Sequence, residues 1–381
     1  MRRLFLIALS LSALSVLPAR AALDTTAEHA LLMDAANGQV LWEKDGLTAM
    51  PPASMSKLMT LELLFQRLKD GRLKLTDTLP VSQRAWSTQG SKMFVELNSR
   101  IPIESLIRGI IIDSGNDACV VVAEGLGGTV EGFADMMNKR AKQIGLAQSH
   151  FVNPDGLPDP PGQLMSAMDL AKLARHLIRD YPDYYHYFSE KEFTWHNITQ
   201  PNRDLVLGAL PGADGLKTGH IDASGYGITI SAKRGDTRFV LVLNGLRYPQ
   251  YNNDYFPNIK RAEEAGRLMD LAFREFRPVT IAAAGKVVGQ AALKEGKASS
   301  VAVTPKNLIS ATMQMEAQSN FKIAVKTDPN LTAPVAQGQR VGTMTVTAPD
   351  FPAMTVPVYA TEAVERANIF SRLWNRYFGK H

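Results

Sequence analysis

The sequence predicts a two-part chain: a mixed α/β domain of helices and strands over residues 22–277, then a small all-β domain over 278–360. Three observations predict it. Apolar helical runs and hairpin-forming strands share the chain up to Arg277. Beyond Pro278, runs such as Ala311–Glu316 and Phe321–Lys326 alternate apolar and polar residues, as half-buried strands do, between Pro, Gly and Asn turns. The last residues then return to a helical spacing of apolar side chains.

The chain opens with Arg2 and Arg3, an apolar run from Leu4 to Leu17, and Ala19-Arg20-Ala21. A basic start, an apolar middle and a small-x-small end are the parts of a secretory signal peptide. The run is too short to span a bilayer, which takes roughly 20 apolar residues, so residues 1–21 are expected to be removed. The formal charge then falls from +5 to +2 with the loss of Arg2, Arg3 and Arg20. So small a charge argues against nucleic-acid binding.

Ala30–Asp34 and Gly38–Trp42 form a hairpin about the turn Ala36-Asn37-Gly38. Leu58–Leu68 is apolar on nearly every side and is followed by Gly71 as C-cap, which predicts a buried central helix. Ile103–Ile112 and Ala118–Glu124 are two more helices with a polar break between them. Tyr226–Lys233 and Arg238–Leu243 are strands around Arg234-Gly235-Asp236. Ile259–Phe276 is an amphipathic helix that Pro278 stops. The β domain over 278–360 is expected to be a small sandwich. In residues 361–381, Phe370, Leu373, Trp374, Tyr377 and Phe378 make one helical stripe among Arg366, Arg372, Arg376 and Lys380. Such a helix lies in a membrane interface, and burying its five large side chains contributes on the order of 10 kcal/mol before ordering costs. Docking on the protein's own core is the other home for that stripe.

Cys119 is the single cysteine and opens the apolar run Cys119–Ala123, so a buried core residue is expected rather than a catalytic thiol. No His/Cys spacing suits zinc, and no metal or cofactor is expected.

Three clusters carry chemistry. Ser54-Met55-Ser56-Lys57 follows Pro51-Pro52 at the start of the apolar helix. Free backbone N–H groups there favour developing negative charge. The spacing of three puts Ser54 and Lys57 on one face, where a neutral lysine activates the hydroxyl. Burial, and any second cation nearby, lowers the lysine pKa toward that neutral form. The spacing alone equally suits an ordinary helix cap, and Ser319–Lys322 repeats the letters in an expected strand, where alternation separates the two side chains. The second cluster, Ser114-Gly115-Asn116, occupies the polar break and offers a hydroxyl and an amide on a short turn, or simple turn chemistry. The third, Lys217-Thr218-Gly219-His220, lies just before the second hairpin, where a strand edge holds a carboxylate or is merely protected by lysine.

In this order the clusters resemble the Ser-x-x-Lys, Ser-x-Asn and Lys-Thr-Gly set of penicillin-binding proteins and β-lactamases. The chain is most similar to the low-molecular-mass penicillin-binding proteins that are D-alanyl-D-alanine carboxypeptidases. Ser114-Gly115-Asn116, the run into His220, Gly156-Leu157, Ser189-Glu190-Lys191, Asn202-Arg203 and Asp214-Gly215-Leu216 add to the likeness. The resemblance implies a transpeptidase/β-lactamase-like catalytic domain, with an antiparallel sheet flanked by helices. It also implies an exported protein held peripherally at the periplasmic face of the cytoplasmic membrane by its terminal helix. By the resemblance, Ser54 is expected to form the acyl-enzyme, Lys57 to be the base, and Ser114 and Asn116 to relay a proton and position substrate. The resemblance also implies that Lys217 and Thr218, helped by Arg203 and Arg247, bind the terminal carboxylate of a peptidoglycan stem peptide. The same resemblance makes the N–H groups of Ser54 and His220, beside Gly219, the expected oxyanion hole and Ser54 the residue that β-lactams would acylate. Gly90 falls in a loop that borders the site. Where the family often has His, this chain has Asp155, which leaves the role of that loop open.

A β-lactamase of the class A kind needs a glutamate for deacylation, and none occurs between Phe151 and Asp180. An inactive peptidoglycan-binding scaffold has no need of a nucleophile–base pair.

Overall fold

The computed structural model describes residues 23–349 and 351–368. The expected leader and the aromatic stripe from Phe370 onward lie outside the described residues.

Strand alternation explains the central sheet. Strands β1 (His29–Asp34) and β2 (Val40–Lys44) pair antiparallel about a turn in which Gly38 takes φ 79°, a left-handed value that glycine reaches without strain. Strands β3 (Ala213–Ile221), β4 (Gly225–Arg234) and β5 (Thr237–Leu246) complete an antiparallel sheet in the order β2-β1-β5-β4-β3. Successive side chains point to opposite faces. Leu31, Met33, Val240 and Val242 face a helical lobe, while Leu32, Leu241 and Leu243 face a single long helix. Both faces are covered, so β1 and β5 read as continuous apolar runs.

The helical lobe is built around α1 (Lys57–Lys69), with α2 (Ile103–Ile111), α3 (Asn116–Gly127), α4 (Val130–Gln143) and α5 (Ala167–Asp180) around it. As expected, α1 is buried along most of its length. It ends where Gly71 turns left-handed at φ 69°. Gly71 N–H then donates to the Leu68 carbonyl at 3.0 Å, and Arg72 N–H to that of Arg67 at 2.9 Å, the paired bonds that close a helix C-terminus. Cys119 is fully buried on α3, and burial pushes its thiol up to about 12. It is a core residue.

On the other face lies α6 (Tyr255–Glu275). It begins four residues before the expected Ile259, because its first turn is exposed at Tyr255 and Phe256 and lacks the apolar stripe. Pro257 sits in that first turn, where a missing N–H costs nothing. Pro278 does not stop the helix: strand β6 (Phe276–Ala282) has already begun, since the residue before a proline avoids helical backbone.

The all-β texture after 278 holds, apart from one helical turn at Met315–Gln318 that ends the alternation expected to reach Glu316. Consequently Ser319 lies beyond that turn and not in a strand. Strands β7 (Gly289–Ala292), β8 (Ser300–Thr304), β10 (Lys322–Thr327), β11 (Arg340–Ala348) and β12 (Phe351–Ala360) form one sheet, and β6 pairs with β9 (Ile309–Gln314). Together they wrap one apolar core as a near-barrel, not as the two-layer sandwich expected for 278–360, because most of the strands join one sheet. This unit docks on the five-stranded sheet through the Gln39 amide, which exchanges two hydrogen bonds with the Thr312 backbone at 2.8 and 3.0 Å. The Thr312 hydroxyl also donates to Asp34.

Candidate active site

Pro51 and Pro52 deliver the chain into a tight turn, Ala53–Ser56, that runs directly into α1. Ser54 stays partly exposed at the mouth of a cleft, while Lys57 is fully buried one turn on. The Lys57 Nζ lies 2.7 Å from Ser54 Oγ, 2.7 Å from Asn116 Oδ1 and 2.5 Å from the Asp155 carbonyl. Burial holds the amine below its ordinary value of 10.5, against the opposing pull of Asp155 and Asp117. The open question at Asp155 is answered by its backbone: the carbonyl holds Lys57, while the side chain accepts from Leu157 N–H at 3.0 Å.

Asn116 is the first residue of α3, and its amide is oriented by donation to the Gln89 carbonyl at 2.7 Å. Its backbone N–H donates to Ser91 at 2.8 Å. Gly90, between these two, takes φ 84°, and a Cβ there would lie 2.6 Å from Asn116 Nδ2; the loop does border the site. Ser114 holds φ 57°, a strained value for a residue with a side chain, and its hydroxyl accepts from Lys217 Nζ at 3.0 Å.

Lys217 and Thr218 are buried on the edge strand β3. Lys217 is pushed well below 10.5 by burial and by its neighbours Lys57 and Arg261. Gly219 lets this strand run against the turn that carries Ser54, since a Cβ there would come within 2.8 Å of the Pro52 carbonyl. His220 stacks on Tyr226 with ring centroids 3.8 Å apart. Burial lowers its pKa.

Ser54, Ser114, Thr218, Gly219, His220 and Arg203 thus share one cleft of about 260 Å³. Arg247 is not in its lining. Its guanidinium is taken by Glu28 at 2.9 Å and by the carbonyls of Asp222 and Ala223. Sequence reasoning missed Arg261 of α6, which does line the cleft. Arg261 is buried, donates to the Gly219 and Gly227 carbonyls at 3.2 and 3.4 Å, and is lowered to about 10 by burial, opposed by Asp204. Its signal was present: it interrupts the stripe Pro257, Ala265, Leu268, Ala272 that α6 buries. A buried lysine against a partly exposed serine, beside a cationic cleft, equips the site to take an acyl group from a substrate bearing a carboxylate.

Residues 16–246 match the D-alanyl-D-alanine carboxypeptidase family, and residues 276–366 match the penicillin-binding protein 5 C-terminal domain. The D-alanyl-D-alanine carboxypeptidase DacC of Escherichia coli is 35% identical over 353 residues, covering 91% of this chain and 86% of the relative. The crystal structure of penicillin-binding protein 5 from Haemophilus influenzae is 32% identical and superposes with a TM-score of 0.77, covering 90% of this chain and 98% of its own. Penicillin-binding protein D2 of Listeria monocytogenes, in its ampicillin-bound form, is 26% identical with a TM-score of 0.57 over 65% of this chain and 97% of its own.

Proposed function

We propose, for a chain that belongs to the D-alanyl-D-alanine carboxypeptidase family, that Ser54 is its nucleophile and Lys57 its general base. The chain is a serine-type D-Ala-D-Ala carboxypeptidase, a penicillin-binding protein of peptidoglycan remodelling. The 2.7 Å contact between a fully buried lysine and Ser54 Oγ carries the assignment of roles.

Ser54 Oγ attacks the carbonyl carbon between the two D-alanines and gives its proton to Lys57 Nζ. The negative oxygen meets the backbone N–H groups of Ser54 and His220, a donor in such a hole being worth about 3 kcal/mol. Breaking the peptide bond requires a proton on the leaving amine, which Ser114 passes on from the lysines. D-Alanine departs, and water then hydrolyses the acyl-enzyme on Ser54. Lys217, Thr218 and Arg203 hold the terminal carboxylate, with Arg261 in the place the sequence assigned to Arg247. That carboxylate returns Lys217 toward its charged form, so binding and proton supply are coupled. The ampicillin-bound Listeria protein supports acylation of Ser54 by β-lactams here too.

Residues 22–277 serve as the catalytic unit and 278–360 as a β domain. Residues 361–381 act as an amphipathic membrane anchor for an exported, peripherally bound enzyme. Among the described residues no helix is long and apolar enough to cross a membrane.

Release of D-alanine from a stem pentapeptide tests the reading. Wild-type protein should release it, and Ser54→Ala should lose at least roughly 10⁴-fold in rate. Retained release by Ser54→Ala would rule out the nucleophile.

A further inference from the structure

A second groove, of about 480 Å³, lies beside the active-site cleft between the 86–97 loop and the hairpin Glu192–Pro201. The two share a wall. Ser91 lines the cleft while Lys92 lines the groove, and Asn116 binds Lys57 while the adjacent Asp117 lines the groove. The Gln200 side chain ties the two further, donating to the Lys92 carbonyl at 2.9 Å and accepting from Arg203 at 3.3 Å.

The groove exposes aromatic surface that the backbone is strained to present. Trp86 is 46% and Phe94 47% exposed. Phe94 holds φ 66°, a conformation that costs a bulky residue on the order of 1–3 kcal/mol. What holds it there is Asp117, fully buried, whose carboxylate accepts from the N–H groups of Met93, Phe94 and Val95 at 3.0, 2.9 and 3.1 Å. Strain maintained by a buried carboxylate in a groove that adjoins the active-site cleft points to use of the ring it displays. The rim is polar and of mixed sign: Lys92, Glu96 and His196, the last two paired at 2.8 Å.

We infer that this groove is a subsite for the amino-sugar glycan strand that carries the stem peptide. The inference rests on the carboxypeptidase reading of the adjoining cleft. Pyranose rings offer apolar C–H faces to Trp86 and Phe94, and their hydroxyl and acetamido groups offer donors and acceptors to the rim. A membrane headgroup would want one sign of charge. A stable protein partner would want roughly 800 Å² of its own surface covered. Five extended residues reach at most about 17 Å, so a strand whose pentapeptide is in the cleft passes close to a groove that adjoins it.

The test compares two substrates with wild-type protein, Trp86→Ala and Phe94→Ala. One is the soluble tripeptide diacetyl-lysyl-D-alanyl-D-alanine, the other uncrosslinked glycan strands bearing pentapeptides. Each variant should raise KM on strands by about tenfold, the loss of one aromatic contact, and leave tripeptide turnover and the rate of penicillin acylation within about twofold. Acylation also reports that the variant is folded, and Trp86→Ala, at an exposed site, supplies the answer should Phe94→Ala fail to fold. Peptide-free glycan strands added to Ser54→Ala protein should quench tryptophan fluorescence, and adding Trp86→Ala should abolish that change. Equal losses on both substrates, or none on strands, would overturn the groove as a glycan subsite. Failure of the wild-type protein on both substrates would instead overturn the carboxypeptidase reading.

Discussion

Lys57 Nζ has three oxygens around it, and only one of them can reverse its role. Asn116 Oδ1 and the Asp155 carbonyl accept and never donate, so a neutral lysine keeps both bonds and turns its lone pair to the Ser54 hydroxyl. Burial favours that neutral form. Acylation by penicillin should therefore rise with pH along a limb that lies below 10.5, the ordinary lysine value. Lys57→Arg, permanently charged, should lose at least roughly 10³-fold; stopped-flow acylation from about pH 5 to pH 10 measures both. Asp113 gives a second pH signature. Its carboxyl is buried, its oxygens find no hydrogen-bond partner among the described residues, and burial pushes it up to about 7 from 3.8. Between those values the folded protein binds a proton that the unfolded chain has lost, so stability falls as pH rises. Asp113→Asn removes that loss and should be more stable than wild type at about pH 8, with the gain vanishing near pH 4; denaturant midpoints at the two pH values check it. The letters of Ser54, Lys57, Ser114, Asn116 and Lys217 were legible in the sequence. Arg261 and the Asp155 carbonyl were not assigned, because the first lies on a helix well beyond the last motif, 41 residues past His220, and a backbone oxygen leaves no letter.

At the scale of elements, the site depends on two close approaches of backbone to the turn that carries Ser54. Gly219 brings β3 against Pro52, and Gly156, at φ 86°, lies where a Cβ would fall 2.0 Å from the Ala53 carbonyl. A side chain at 156 must displace the turn that carries Ser54. Gly156→Ala should cost about 2–4 kcal/mol of stability and slow acylation, as thermal denaturation and penicillin labelling of the one variant will report. The elements themselves were readable where one physical signal dominated. The buried face of α1, its Gly71 cap and the Gly235 hairpin all lay where pattern and turn residues put them. Boundaries failed where exposure hid the pattern, at Tyr255 and Phe256, and where Pro278 stood inside a strand rather than at a helix end.

At the scale of the whole molecule, one sheet divides two apolar cores and a third belongs to the β unit. The switch from helical to alternating periodicity revealed the two parts. Their docking through Gln39, Asp34 and Thr312 pairs positions 273 and 278 residues apart, which no local pattern encodes. The proposed export and anchoring rest on the composition of the two ends. Deleting residues 370–381 should release the protein from membranes and leave penicillin acylation within about twofold; sedimentation with vesicles containing anionic lipid checks the first and labelling the second. A truncated protein that still pellets would contradict the anchor.

The central claim is that Ser54 is the acylated nucleophile. Intact-mass measurement after labelled penicillin, followed by peptide mapping, tests it most directly. One adduct per chain is expected, carried by the peptide that contains Ser54 and absent from Ser54→Ala. An adduct on any other residue, or labelling that survives in Ser54→Ala, would contradict it.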